Sequence, residues 1–237
     1  MSSSTLEHKK DSHDAAPDQV YHQFEDLAQQ EESYVVGMWA FLVTEVMFFG
    51  GLFFAYILYR WQYQAQFYYI HKELDWRLGG LNTMVLLFSS FSMALAVHFA
   101  QRKMRAKQQM MLGITLLCAF GFLVIKSIEW MAKYEHHLMP WSNFSWPPHD
   151  ALATHPEFAE IPAGIAKMFF SIYFAMTGLH AIHVIIGIIC IGLMMWFTHK
   201  KSILAESYIN TELVGLYWHF VDLVWIFLFP LFYLLPQ

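Results

Sequence analysis

Polar residues dominate positions 1–34, and beyond them the chain changes character: long apolar stretches alternate with polar connections. The stretches cover about 35–59, 78–100, 110–132, 168–198 and 213–235. Each exceeds the roughly 20 residues that a helix rising about 1.5 Å per residue needs to cross a hydrocarbon core about 30 Å thick. Only the third carries a Lys or Arg. Backbone groups in hydrocarbon must be bonded internally, and these runs are too long for barrel strands. The pattern therefore predicts an all-α membrane protein, a bundle of five transmembrane helices at 35–237 behind a polar tail at 1–34.

Composition agrees with a bilayer as the solvent, at 57% hydrophobic and 14% charged residues. The net charge of −5 arises partly in the acidic tail and offers no footprint for nucleic acid. The tail has no apolar segment of the kind a secretory signal needs, so it reads as a solvated extension. Cys118 and Cys190 lie inside apolar runs, where a thiol behaves as a small hydrophobe.

Basic residues orient the bundle. Arg102, Lys103, Arg105 and Lys107 follow the second span, Lys200 and Lys201 follow the fourth, and Lys9 and Lys10 lie in the tail. With those segments inside, the N-terminus is cytoplasmic and the C-terminus outside. The opposite side then holds Arg60, Lys72, Arg77, Lys133 and Lys167 on longer connections, where the rule is weaker. The connection 134–162, rich in Pro, His and Trp, reads as an external cap over helix ends.

Ionisable groups inside the spans are the candidate chemistry, because each needs a partner, a neutral form or a protein-facing position. Glu45 sits about eleven residues into the first span with no Lys or Arg in it, among Gly37, Ala40, Thr44, Gly50, Gly51 and Ala55, which would admit a close helix neighbour. Its readings are a packing carboxyl, a lipid contact or a proton-handling group. Lys126 and Glu129 stand three apart on one face and predict a structural ion pair near a helix end. His180 with His183, and His219 with Asp222, repeat that spacing. Facing imidazoles could ligate haem or a metal; the plainer reading is hydrogen bonding between helices. No Glu-x-x-His, Cys pair or HExxH motif accompanies them.

Five segments, in order and each on its own span, resemble the subunit III family of haem-copper cytochrome c oxidases. They are TEVMFFGGLFFAY around Glu45, LNTMVLLFSSFSMALA from Leu81, KSIEW at Lys126, TGLHAIHVIIG from Thr177 and GLYWHFVDLVWIFLFPLFYL from Gly215. The resemblance implies a lipid-binding bundle packed on oxidase subunit I near its proton-uptake entry, beside subunit II and other respiratory subunits. It also implies haem and copper in those partners, no cofactor in this chain, and a bacterial plasma-membrane location. Glu45 falls on the family's membrane carboxylate, His219 and Asp222 on the polar pair of its last helix, and Lys126 and Glu129 on the polar turn of its middle helix. The chain departs from the fullest members, which have seven spans; it resembles the five-span bacterial form, so any lipid cleft must be completed by another subunit. The alternatives are the equivalent subunit of a quinol oxidase or nitric oxide reductase-type complex, a b-type cytochrome using the histidines, and a proton-coupled carrier using Glu45. The carrier lacks matching broken helices.

Overall fold

The computed structural model describes residues 24–148, 152, 155–200 and 208–234, and no strand occurs among them. Lys9, Lys10, Lys201, most of the tail and part of the 134–162 connection lie outside the described residues. Among the described residues six α-helices follow one another: α1 Leu27–Gln62, α2 Gln64–Ile70, α3 Trp76–Gln101, α4 Arg105–Glu135, α5 Ala163–His199 and α6 Tyr208–Tyr233. All but the short α2 are long and apolar enough to cross a bilayer.

Every crossing helix begins ahead of its apolar run, because polar residues at the ends still satisfy helix geometry. The largest shift is at the start. Asp26 caps α1 by accepting a hydrogen bond from the Gln29 amide at 2.7 Å, so helix begins eight residues before the expected first span. Asp75 caps α3 in the same way, accepting from the amides of Arg77 and Leu78.

The centre of the bundle is α6, packed against α3 and α5, with α4 between those two. Its Trp218, Trp225, Leu228 and Phe232 are fully buried with Phe122 of α4 and Phe169 and Tyr173 of α5. Close approach of α5 and α6 depends on Gly187, where a Cβ atom would stand 2.7 Å from the Trp218 ring. Alternation of small and bulky residues lets the two helices interlock.

Helix α1 is held differently. It lies along the outside of α5 and α6 and touches neither α3 nor α4. Aromatic contacts attach it, Phe49 to Phe220, Phe53 to Phe227 and Tyr56 to Phe232. The Tyr56 hydroxyl also donates to the Leu231 carbonyl at 2.6 Å, satisfying an acceptor in the last turn of α6. Gly37, Gly50 and Gly51, expected to receive a neighbouring helix, have nothing within 4 Å of a would-be Cβ. Among the described residues nothing covers these positions.

A cap closes one end. Phe67 of α2 is buried against Tyr56 and Phe169, and Phe158 packs on Trp146 and His155. Lys72 bonds Glu157 at 3.0 Å, while Lys133 reaches the Glu73 carbonyl and lies 3.7 Å from its carboxylate. Burial pushes the His71 imidazole below its ordinary pKa, aided by the charges of Lys72 and Arg60 and opposed by a bond to the Tyr68 carbonyl.

Candidate functional site

The polar residues inside the spans form three separate arrangements. The first joins α4, α5 and α6 beneath the cap. Lys126 and Glu129 meet at 2.9 Å, and each side chain is almost completely buried. The Lys126 ammonium also donates to the hydroxyls of Tyr233 at 2.9 Å and Tyr173 at 3.2 Å. Both tyrosines in turn donate to Oε1 of Glu129, Tyr173 at 2.7 Å. All three ammonium donors and both carboxylate oxygens are thereby engaged. The Trp225 ring lies 4.9 Å from the ammonium and adds a cation–π contact. A charge pair withdrawn from water is tolerable only when geometry and further hydrogen bonds make up the lost hydration, and this knot supplies both.

The second arrangement lies at the edge, between α1 and α5. Glu45 Oε2 stands 3.1 Å from His183 Nε2, with side-chain exposures of 19% and 13% that leave the pair partly open to the surroundings of the bundle. His183 Nδ1 lies 2.8 Å from the Leu179 carbonyl, which can only accept, so Nδ1 carries a proton. A proton must then lie between Nε2 and Glu45 as well, belonging either to a neutral carboxyl that donates or to an imidazolium. In both cases the pair is neutral overall. The expected grouping of His183 with His180 is not formed. Residues three apart on a helix diverge by about 60°, enough here for His183 to face α1 while His180 faces the core.

His180 is buried between the rings of Phe122, at 5.5 Å, and Trp225, at 5.4 Å, and neither ring nitrogen meets a hydrogen-bond partner among the described residues. The two histidines therefore converge on no common ligand, and both His183 nitrogens are already engaged. Among the described residues no group of three or more His, Cys, Asp or Glu side chains is arranged to hold a metal ion.

The third arrangement is a polar seam between α3 and α6. Trp218 donates to Ser89 at 3.0 Å, Trp225 to Thr83 at 3.1 Å, and Ser90 bonds His219 Nδ1 at 2.7 Å. Next to it, Ser92 meets Thr115 of α4 at 2.7 Å, and Gln108 of α4 donates to Thr211 at 3.0 Å. Asp222 is buried in this region beside Ser90 and Cys118, and neither carboxyl oxygen has hydrogen-bond geometry to a described residue. His219 and Asp222 do not bond each other.

Comparison with known proteins bears on the same segments. Residues 151–236 match the family model described as cytochrome c oxidase subunit III. Over 84% of this chain and 74% of its own length, the protein of Synechocystis sp. named cytochrome c oxidase subunit 3 is 32% identical. The chain belongs to the cytochrome c oxidase subunit III family of haem-copper oxidases. Members serving another donor are also similar: a cytochrome bo(3) ubiquinol oxidase subunit 3 of Buchnera aphidicola is 28% identical over 84% of this chain and 90% of its own length. A protein of Aeropyrum pernix named heme-copper oxidase subunit I+III matches 83% of this chain, at 28% identity, within 22% of its own length. Members of this subunit III family are parts of a multi-subunit respiratory oxidase.

Several participants escaped the sequence reading. Tyr173 and Tyr233 complete the Lys126 knot. Tyr173 stands seven residues before His180, two turns along the same buried face, which is the one available signal. Ser89, Ser90 and Thr83 read as ordinary small residues until α6 is placed against them.

Proposed function

We propose that this chain is the non-catalytic third subunit of a proton-pumping terminal oxidase in the bacterial plasma membrane. It packs against subunit I, contributes to a lipid seat, and stabilises proton uptake by that subunit while holding no redox centre. Family membership supports the setting, and the Aeropyrum relative, whose name joins subunits I and III in one chain, favours contact with subunit I. The observation that carries the reading is the division of the polar residues. The knot around Lys126 and Glu129 is sealed inside and fully bonded, as a structural element should be, whereas Glu45 and His183 lie at the surface of the bundle, where its most weakly held helix, α1, meets α5. Cytochrome c is the donor in this reading. The similarity to ubiquinol oxidase subunits supports quinol as a second reading.

Removing the subunit from the purified complex tests the proposal. The haem spectra of the remainder should be unchanged, proton uptake slower, and activity lost sooner during sustained oxygen reduction. Unaltered uptake and lifetime would refute the supporting role. The orientation with tail and Lys103 inside follows from the basic bias; a cysteine at Lys103 should then resist labelling from outside intact cells, and one at Asn143 should react.

A further inference from the structure

His219 presents a problem that the chain does not solve alone. It is the seventh residue of the apolar run 213–235 carried by α6, about 9 Å from one end of that run and about 24 Å from the other at about 1.5 Å per residue. Ser90 takes its Nδ1. The other ring nitrogen, Nε2, has no hydrogen-bond partner among the described residues, and it is not among the nitrogens sealed inside the bundle. It therefore reaches the bundle surface inside the apolar run, about 9 Å from its nearer end.

The surroundings are shaped to receive something. Helices α1 and α3 both lie against α6 but do not touch each other, so a strip of α6 is left open between them. Along that strip Leu223 and Ile226 are exposed at helical spacing from His219, flanked by exposed Val46 of α1 and Leu87 of α3. Lipid would cover the apolar part equally well. It would not serve Nε2, because acyl chains offer no hydrogen-bonding group at that depth and an unsatisfied polar atom in hydrocarbon is costly. Water would need a protein wall to hold it there.

We infer that this strip seats a membrane-spanning helix of a partner subunit, and that the helix brings a hydroxyl, amide or indole to His219 Nε2. The inference rests on the reading of the chain as one subunit of a membrane complex, and it assigns that complex a contact face separate from the Glu45–His183 edge. Side chains of this kind commonly join helices in membranes.

The test uses the intact complex with a benzoylphenylalanine crosslinker at Leu223, and the same group at Leu117, an exposed position on α4, as reference. Irradiation should join Leu223 to another protein chain, while Leu117 yields lipid adducts. His219→Leu should lower the Leu223 adduct by about fivefold, the factor that one hydrogen bond of ordinary strength supplies. His219→Gln, whose amide can still bond, should preserve most of it. Lipid-only adducts at Leu223, or adducts solely to a second copy of this chain, would overturn the inference, as would an undiminished yield in His219→Leu. Haem content of the same preparation separates the two levels: its absence refutes the oxidase assignment, whereas lipid adducts in a haem-containing complex refute only the seat.

Discussion

Two ionisable pairs in one bundle live under opposite conditions. Lys126 and Glu129 are nearly sealed from the surroundings, with two tyrosines and an indole closing every remaining valence. Glu45 and His183 share a single contact at the rim, between α5 and a helix, α1, that touches only part of the bundle. The first pair is complete within the chain, so its properties belong to the fold. The second keeps open sides, so its properties depend on what lies against it. A buried carboxylate alone says little about function; the number of its valences satisfied inside the chain says more.

The largest effect should follow from cutting the sealed pair in half. Lys126→Leu or Glu129→Leu leaves a charge buried without its partner and should cost about 3–5 kcal/mol, while the double substitution should recover most of the loss. Graded denaturation of the assembled subunit in detergent measures it. If the double variant is as unstable as either single one, the knot is more than an ion pair and its tyrosines must be ordered by charge.

Packing contrasts come next. Gly187→Ala drives a Cβ into the Trp218 ring at 2.7 Å and should destabilise by about 1–3 kcal/mol, in the range for overpacking a core. Gly50→Ala meets nothing within 4 Å and should leave the stability of the chain unchanged or slightly raised, since Ala favours helix over Gly by up to about 1 kcal/mol. A Gly50→Ala variant that dissociates from the complex would show that a partner fills the open face of α1.

The rim pair should give structural effects no larger than that of Gly187→Ala and the most informative functional ones. Glu45→Ala opens a void and leaves His183 Nε2 without a partner, a loss of about 1–3 kcal/mol. Inactivation during turnover should quicken while haem content starts normal. Glu45→Gln can donate its amide proton to Nε2 and should be mild if the carboxyl is the donor. Loss of proton uptake in an intact Glu45→Gln complex would instead show that Glu45 exchanges protons.

Much of the architecture was legible in the chain because lipid imposes a length and an apolar composition on every crossing segment. Boundaries were less so. Polar residues such as those from Leu27 to Tyr34 continue a helix with no hydropathic signature, and only the Asp26 cap marks its start. The site residues were visible one by one, since an ionisable group in an apolar run is conspicuous. Their partners were not. Local spacing joined His180 to His183 and His219 to Asp222, yet the bonds run to Glu45, 138 positions away, and to Ser90, 129 positions away. Lys126 and Glu129 could be paired from spacing because both lie on one face of one helix, whereas Tyr173 and Tyr233 arrive from two others. Helix packing decides such contacts, and a single sequence states the helices without stating their neighbours.

The division of labour between this chain and its partners is tested most directly by purifying the assembled complex through a tag on this subunit, then separating the subunits and measuring iron, copper and haem absorbance in each. The account predicts haem and copper in the assembled complex and none in the separated chain. Stoichiometric iron or copper retained by the separated chain, and lost on His180→Ala or His219→Ala, would contradict it.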